Sequence, residues 1–119
     1  MAHRRYFSRT IREAGTGSGT VVILDDPALP NQERHYFRVV VENETSANTV
    51  VRIGVDRAGD FKLVDFFAAF GAATPQVSDD AEIVCLPEER LEVRFTAHTD
   101  NDRLTVHVHG YIWKQPKRE

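Results

Sequence analysis

Two histidines stand two residues apart in His107-Val108-His109. On an extended strand such residues share a face, so their imidazoles can take a metal ion between them. A stable centre needs further ligands. The runs Arg90–His98 and Arg103–Trp113 read as a closing hairpin, turned by Thr99-Asp100-Asn101-Asp102. With His98 opposite Arg103, Arg94 falls beside His107 and Glu92 beside His109. A cation next to His107 disfavours a metal, and Gly110-Tyr111-Ile112-Trp113-Lys114-Gln115 brings no carboxylate after His109. The pair therefore reads as surface histidines.

Other reactive groups lack partners. Ser8, Ser18, Ser46 and Ser78 lie in polar segments without a nucleophile-elbow pattern. Cys85 lies in the apolar run Ile83-Val84-Cys85-Leu86, where a buried, inert thiol is expected. As the lone cysteine it forms no intrachain disulfide. The pairs Asp25-Asp26 and Asp79-Asp80, and Asp100-Asn101-Asp102, read as turns rather than calcium loops. Gly15-Thr16-Gly17-Ser18-Gly19 has no lysine after it and opens no helix, so it is not a phosphate loop. No catalytic residue, metal or cofactor is expected.

These residues must be positioned by strands. Leu91, Val93, Phe95 and Ala97 alternate with polar residues, as do Leu104, Val106, Val108, Gly110 and Ile112. A period of two means one buried and one wet face. Thr20–Leu24, His35–Glu42 and Thr49–Asp56 read as further strands, the last two as a hairpin around Asn43–Asn48. In them His35, Phe37, Val39 and Val41 are expected on one face, and Val51, Ile53 and Val55 on one face. Phe61 through about Phe67 reads as a strand with a helical turn after it, and Ala81–Leu86 as a short strand. The expected fold is all-β: a single antiparallel, jelly-roll-like sandwich of about seven to eight strands with an extended N-terminal arm. Residues 1–19 are the basic arm and a Gly/Ser/Thr linker, 20–113 the sandwich, and 114–119 a basic tail.

The 119 residues suit one domain, 41% hydrophobic and 28% charged, which argues against a disordered chain. No apolar run approaches ~18 residues, so no membrane helix is expected, and no leader peptide follows the first basic residues. The net charge of −3 hides an asymmetry. Residues 13–113 hold eight basic and seventeen acidic side chains, net −9, while Arg4, Arg5, Arg9 and Arg12 crowd the start. A basic arm on an acidic body suits contact with an acidic protein surface, such as a neighbouring copy. Tyr6 and Phe7 among the arginines allow a nucleic-acid reading, which the acidic body disfavours. Phe66, Phe67 and Phe70 cannot all point inward from one strand, and Tyr111 and Trp113 fall on the polar face of the last. Exposed aromatics of this kind anchor partners.

The run Leu86-Pro87-Glu88-Glu89-Arg90-Leu91-Glu92-Val93-Arg94-Phe95, an acidic turn, and Arg103-Leu104-Thr105-Val106-His107-Val108-His109-Gly110-Tyr111 resembles the end of small β-sandwich accessory proteins from tailed-bacteriophage particles, of the capsid-decoration and head-spike type. The likeness is specific only over residues 86–111. It implies a multimeric structural protein of the virion, made in the host cytoplasm, that binds major capsid protein or other virion subunits. The expected contact residues are Arg4, Arg5, Tyr6, Phe7, Arg9, Arg12, Phe66, Phe67, Phe70, Tyr111 and Trp113. On this reading, removing residues 1–18 leaves a folded domain that no longer binds particles. Two alternatives stand: a carbohydrate-binding module stacking sugars on Tyr111, Trp113 and Tyr36, and a small cupin-like metalloprotein using His107 and His109.

Overall fold

The computed structural model describes residues 3–79 and 82–114. Nine strands lie among them: β1 (His3–Ala14), β2 (Val21–Leu24), β3 (Gln32–Asn43), β4 (Thr49–Arg57), β5 (Asp60–Phe70), β6 (Gln76–Ser78), β7 (Ile83–Cys85), β8 (Arg90–Thr96) and β9 (Arg103–Lys114). One sheet, sheet A, runs β1-β9-β3-β6, with β7 also on β3; sheet B runs β2-β8-β4-β5. Every pairing is antiparallel. The chain folds as one long nested hairpin, β1 on β9, β2 on β8, β3 on β6 and β7, β4 on β5, with alternate pairs rolled into opposite sheets. This is a jelly roll.

The core lies between the sheets and follows the alternation. Val39, Val41, Leu104, Val106 and Val108 enter it from sheet A, and Ile23, Val51, Ile53, Leu91, Val93 and Phe95 from sheet B. Cys85 is buried among them, as expected. Burial, with the nearby Glu89 carboxylate adding to it, pushes its thiol up to about 12.

Two expectations about pairing fail. The runs 35–42 and 49–56 form no hairpin: β3 lies in sheet A and β4 in sheet B. Arg90–His98 and Arg103–Trp113 likewise part into opposite sheets. Glu92 and Arg94 therefore never meet His109 and His107. Both connections cross between the sheets because a buried polar cluster ties them together at one end. Asn43 Nδ2 donates to Asp102 Oδ2 at 2.9 Å and to Thr49 Oγ1 at 2.7 Å. Ser46 Oγ and the Thr99 amide donate to the same Asp102 carboxylate, each at 2.6 Å. Burial alone would raise the Asp102 acid, but these donors outweigh it and hold it below the ordinary aspartate value. The expected helical turn after Phe67 is also absent; β5 continues in extended form to Phe70.

The arm is a strand. His3–Ala14 pairs with β9 along its whole length, from His3 opposite Lys114 to Ala14 opposite Arg103. Phe7 and Ile11 pack against the core, and Gly110 makes room for Phe7. A Cβ at Gly110 would come 3.0 Å from the Phe7 ring and 2.1 Å from the His35 carbonyl oxygen. Residues 15–19 are held as well. The Gly15 amide donates to the Asp102 carbonyl, and the Thr16 and Gly17 amides donate to His98 Nδ1. The ring's other nitrogen, Nε2, donates to the Gly19 carbonyl. His98 is therefore buried and structural, not on a wet face.

A second polar cluster clamps β1 across the edge of the sandwich. Asp25 is 3% exposed. Its carboxylate accepts from Arg9 Nη1 at 2.9 Å, from Arg34 Nη2 at 3.2 Å and from the Tyr36 hydroxyl. Arg34 also lies 4.6 Å from the centre of the Phe7 ring. Burial would lower the Arg34 guanidinium, but Tyr36 and Asp25 outweigh it and raise it.

Removing one member of a buried ion cluster strands the rest. Asp25→Ala is expected to cost about 3–5 kcal/mol, read by chemical denaturation. A loss under about 1 kcal/mol would show that the cluster does not hold β1. Deleting residues 1–14 is expected to unfold the protein by circular dichroism, because it strips an edge strand with two core side chains.

Candidate functional site

The outer faces of the two sheets differ in chemistry. On sheet A, β9 runs between β1 and β3, so outward residues line up in rows. Arg4, Trp113 and Glu33 form one row; Tyr6, Tyr111 and His35 the next; Ser8, His109 and Arg38 the third; Thr10, His107 and Val40 the fourth. A β-bulge between Tyr36 and Arg38 shifts the register. It turns Tyr36 into the core and leaves Phe37 44% exposed beside the second and third rows. The expectation that His35 and Phe37 share the face of Val39 and Val41 is therefore corrected. Tyr36, buried and bonded to Asp25, cannot serve a sugar platform.

Aromatic contacts knit the first three rows. Tyr111 stacks on His35 with centroids 4.7 Å apart and planes 8° apart. The Arg4 guanidinium lies 4.9 Å from the centre of the Tyr111 ring. Tyr6, 65% exposed, leans on Tyr111 at 5.6 Å and on Phe37 at 6.4 Å. His35 Nε2 bonds Glu33 Oε1 at 2.8 Å. Burial raises the Tyr111 hydroxyl, and the Glu82 carboxylate adds to the rise.

His107 and His109 are neighbours here, with ring centroids 4.5 Å apart. His107 Nδ1 is engaged by the Thr10 hydroxyl and Nε2 lies 3.4 Å from Ser8 Oγ. His109 faces Arg38 instead of the expected Glu92. Among the described residues no group of three or more His, Cys, Asp and Glu side chains is arranged to hold a metal ion. The cupin-like alternative thus loses the carboxylate on which its third ligand depended.

Sheet B carries a different surface. Its outward rows are Val22, Arg94, Arg52, Phe66 and Leu24, Glu92, Gly54, Leu63. Gly54 lets Phe61 lie against the sheet: a Cβ there would come 2.7 Å from the Phe61 ring and 2.1 Å from the Lys62 carbonyl oxygen. Arg94 sits 4.0 Å from the centre of the Phe61 ring, held by Glu92, and Arg52 sits 5.2 Å from that of Phe66. Val22, Leu24, Leu63 and Phe66 are all exposed, Leu63 to 56%. At the free edge of β5, register shifts near Val64 and near Ala68, with Lys62 and Asp65 on the inward side, discourage strand addition.

The expected contact residues therefore separate. Arg4, Tyr6, Tyr111 and Trp113 meet on sheet A. Phe66 is exposed on sheet B, but Phe67 is half-buried against the core and Phe70 is buried. Phe7 faces the core, and Arg5 lies on the same side of β1, opposite Ile112. Arg9 is spent on Asp25 and Asp26, and Arg12 lies 3.7 Å from Glu44. Of the basic tail, Lys114 ends β9; Lys117 and Arg118 lie outside the described residues. Glu33, His35, Phe37 and Arg38 on sheet A, and Val22, Leu24, Arg52 and Leu63 on sheet B, were not expected at these surfaces. Three consecutive rings at His35-Tyr36-Phe37 were a usable signal, since strict alternation cannot sort them. No family model, no curated protein and no solved structure matches the chain.

Burial holds His109 below the ordinary histidine value of 6.5, and the positive charges of His107 and Arg38 lower it further. The unfolded chain then binds the extra proton more readily, so stability falls as pH drops through the window just under 6.5. Arg38→Ala is expected to move the His109 titration upward in a proton NMR experiment. An unchanged or lowered midpoint would contradict the cationic environment.

Proposed function

We propose that the chain is a virion structural protein of the accessory kind, a capsid-decoration, cement or spike-base component. On this reading it assembles as multimers and docks through the outer face of sheet B. The observation that carries the reading is that face's composition. Exposed Val22, Leu24, Leu63 and Phe66 surround Arg52 and Arg94, and both guanidiniums are fixed against phenylalanine rings. Arginine and aromatic side chains are enriched where proteins meet, and pre-ordered ones lose less entropy on binding. The jelly roll beneath supplies a stiff base, since its strands are joined by continuous antiparallel ladders. The resemblance of residues 86–111 to accessory virion proteins points the same way. On this reading residues 3–14 contribute as part of sheet A rather than as a free arm, since their backbone pairs with β9. Major capsid protein or a neighbouring copy is the partner this surface suits.

The charge-introducing pair Leu63→Glu and Phe66→Glu lies on exposed positions and should leave the fold intact by circular dichroism. Mass photometry is expected to find multimers for the natural chain and monomers for the double variant, and only the natural chain should co-sediment with particles. A natural chain that stays monomeric and fails to co-sediment would overturn the proposal.

A further inference from the structure

We propose that the depression beside the first two rows of sheet A is a binding site for a neutral sugar ring. It has a volume of about 180 Å³ and is lined by Arg4, Glu33, His35, Tyr111 and Trp113. Its small size suits one ring rather than a peptide segment.

The chemistry of the lining selects among small ligands. Trp113 stands between Arg4 and Glu33 in one cross-strand row. The Tyr111 ring is occupied, with His35 stacked on it and the Arg4 guanidinium against it. Trp113 and the exposed Tyr6 are therefore the aromatic surfaces left to meet a ligand. An indole offers an apolar face that matches the C–H face of a pyranose, and its N–H can reach a hydroxyl. Arg4 supplies fixed donors and Glu33 supplies acceptors. A free anion would meet the Glu33 carboxylate, and Glu82 nearby; a free cation would meet Arg4. A neutral ligand bearing both donors and acceptors satisfies the two sides at once, which is what ring hydroxyls do.

A second observation falls on the same residue group. His35 Nδ1 is the one buried side-chain nitrogen or oxygen among the described residues with no hydrogen-bond partner. Glu82 Oε1 lies 3.3 Å from it, close enough for an ion pair but outside hydrogen-bonding geometry. The ring is thus held between two carboxylates, Glu33 at Nε2 and Glu82 at Nδ1, and forms a fixed wall of the depression with Tyr111 stacked on it.

This site is independent of the assembly surface on sheet B, so the two readings can fail separately. The test uses the intact isotope-labelled protein with methyl glycosides of glucose, galactose, mannose and N-acetylglucosamine, alongside a printed glycan array. The expected result is a saturable shift of the Trp113 indole N–H, at an affinity on the order of millimolar for a single ring. Trp113→Ala should abolish it and Trp113→Phe should retain part of it. Arg4→Ala and Glu33→Gln should each weaken it roughly tenfold. Leu63→Glu with Phe66→Glu should leave it unchanged. The proposal is overturned by silence on both the titrations and the array, by binding that survives Trp113→Ala, or by binding confined to acidic sugars. It is equally overturned if Trp113→Ala breaks up the multimer while no glycan binds, since the face would then belong to a protein partner.

Discussion

A carboxylate removed from water between two sheets has to recover its lost hydration from fixed donors. Asp25 does so by taking three hydrogen bonds from two strands at once: from Arg9 on β1, and from Arg34 and Tyr36 on β3. That arrangement decides what the N-terminal segment is. A run with four arginines in its first dozen residues would be free to leave the body if its charges faced only water. Here Arg9 is drawn to Asp25 and Asp26, Phe7 packs edge-on against Tyr36, and the backbone completes sheet A. The rows on that sheet are complete only with β1 docked, since Arg4 and Tyr6 come from it. At the opposite end, Asp102 and Asn43 perform the matching task for the two crossovers.

With both ends tied, the sandwich presents two stiff and unlike outer faces. Sheet A shows histidines, tyrosines and charges of both signs around a small depression. Sheet B shows exposed aliphatic and phenylalanine side chains around fixed arginines. Hydrogen-bonding groups in a concave setting suit a small polar ligand, whereas a broad face of apolar and arginine side chains suits another protein. The functional proposals follow this division.

Much of the core was legible because a period of two is a strong signal: Leu91 to Phe95 and Leu104 to Val108 are buried as their alternation implied. The partners of those strands were not legible. Thr99-Asp100-Asn101-Asp102 has the composition of a tight turn, and the same residues serve a crossover once Asp102 is buried against Asn43. Local chemistry does not distinguish the two cases, since the deciding contact spans residues 43 and 102. β1 was hidden by its own charges. Tyr6, Ser8 and Thr10 do alternate with Phe7, Arg9 and Ile11, yet arginines on both sides masked the pattern. The bulge at Phe37 reversed the faces of three rings by inserting one residue, an event that alternation alone does not reveal. Sheet A's site suffered most from these gaps, because it draws on β1, β3 and β9 together; the exposure of Phe66 on sheet B followed from the strand geometry that keeps Phe66, Phe67 and Phe70 from all pointing inward.

Hydroxyl-radical footprinting of the protein in its assembled form, compared with the dissociated chain, tests the division of faces most directly. The account predicts that Phe61, Leu63 and Phe66 are shielded on assembly while Tyr6, Phe37 and Trp113 stay reactive. Shielding of the sheet A aromatics with Leu63 and Phe66 still reactive would contradict it.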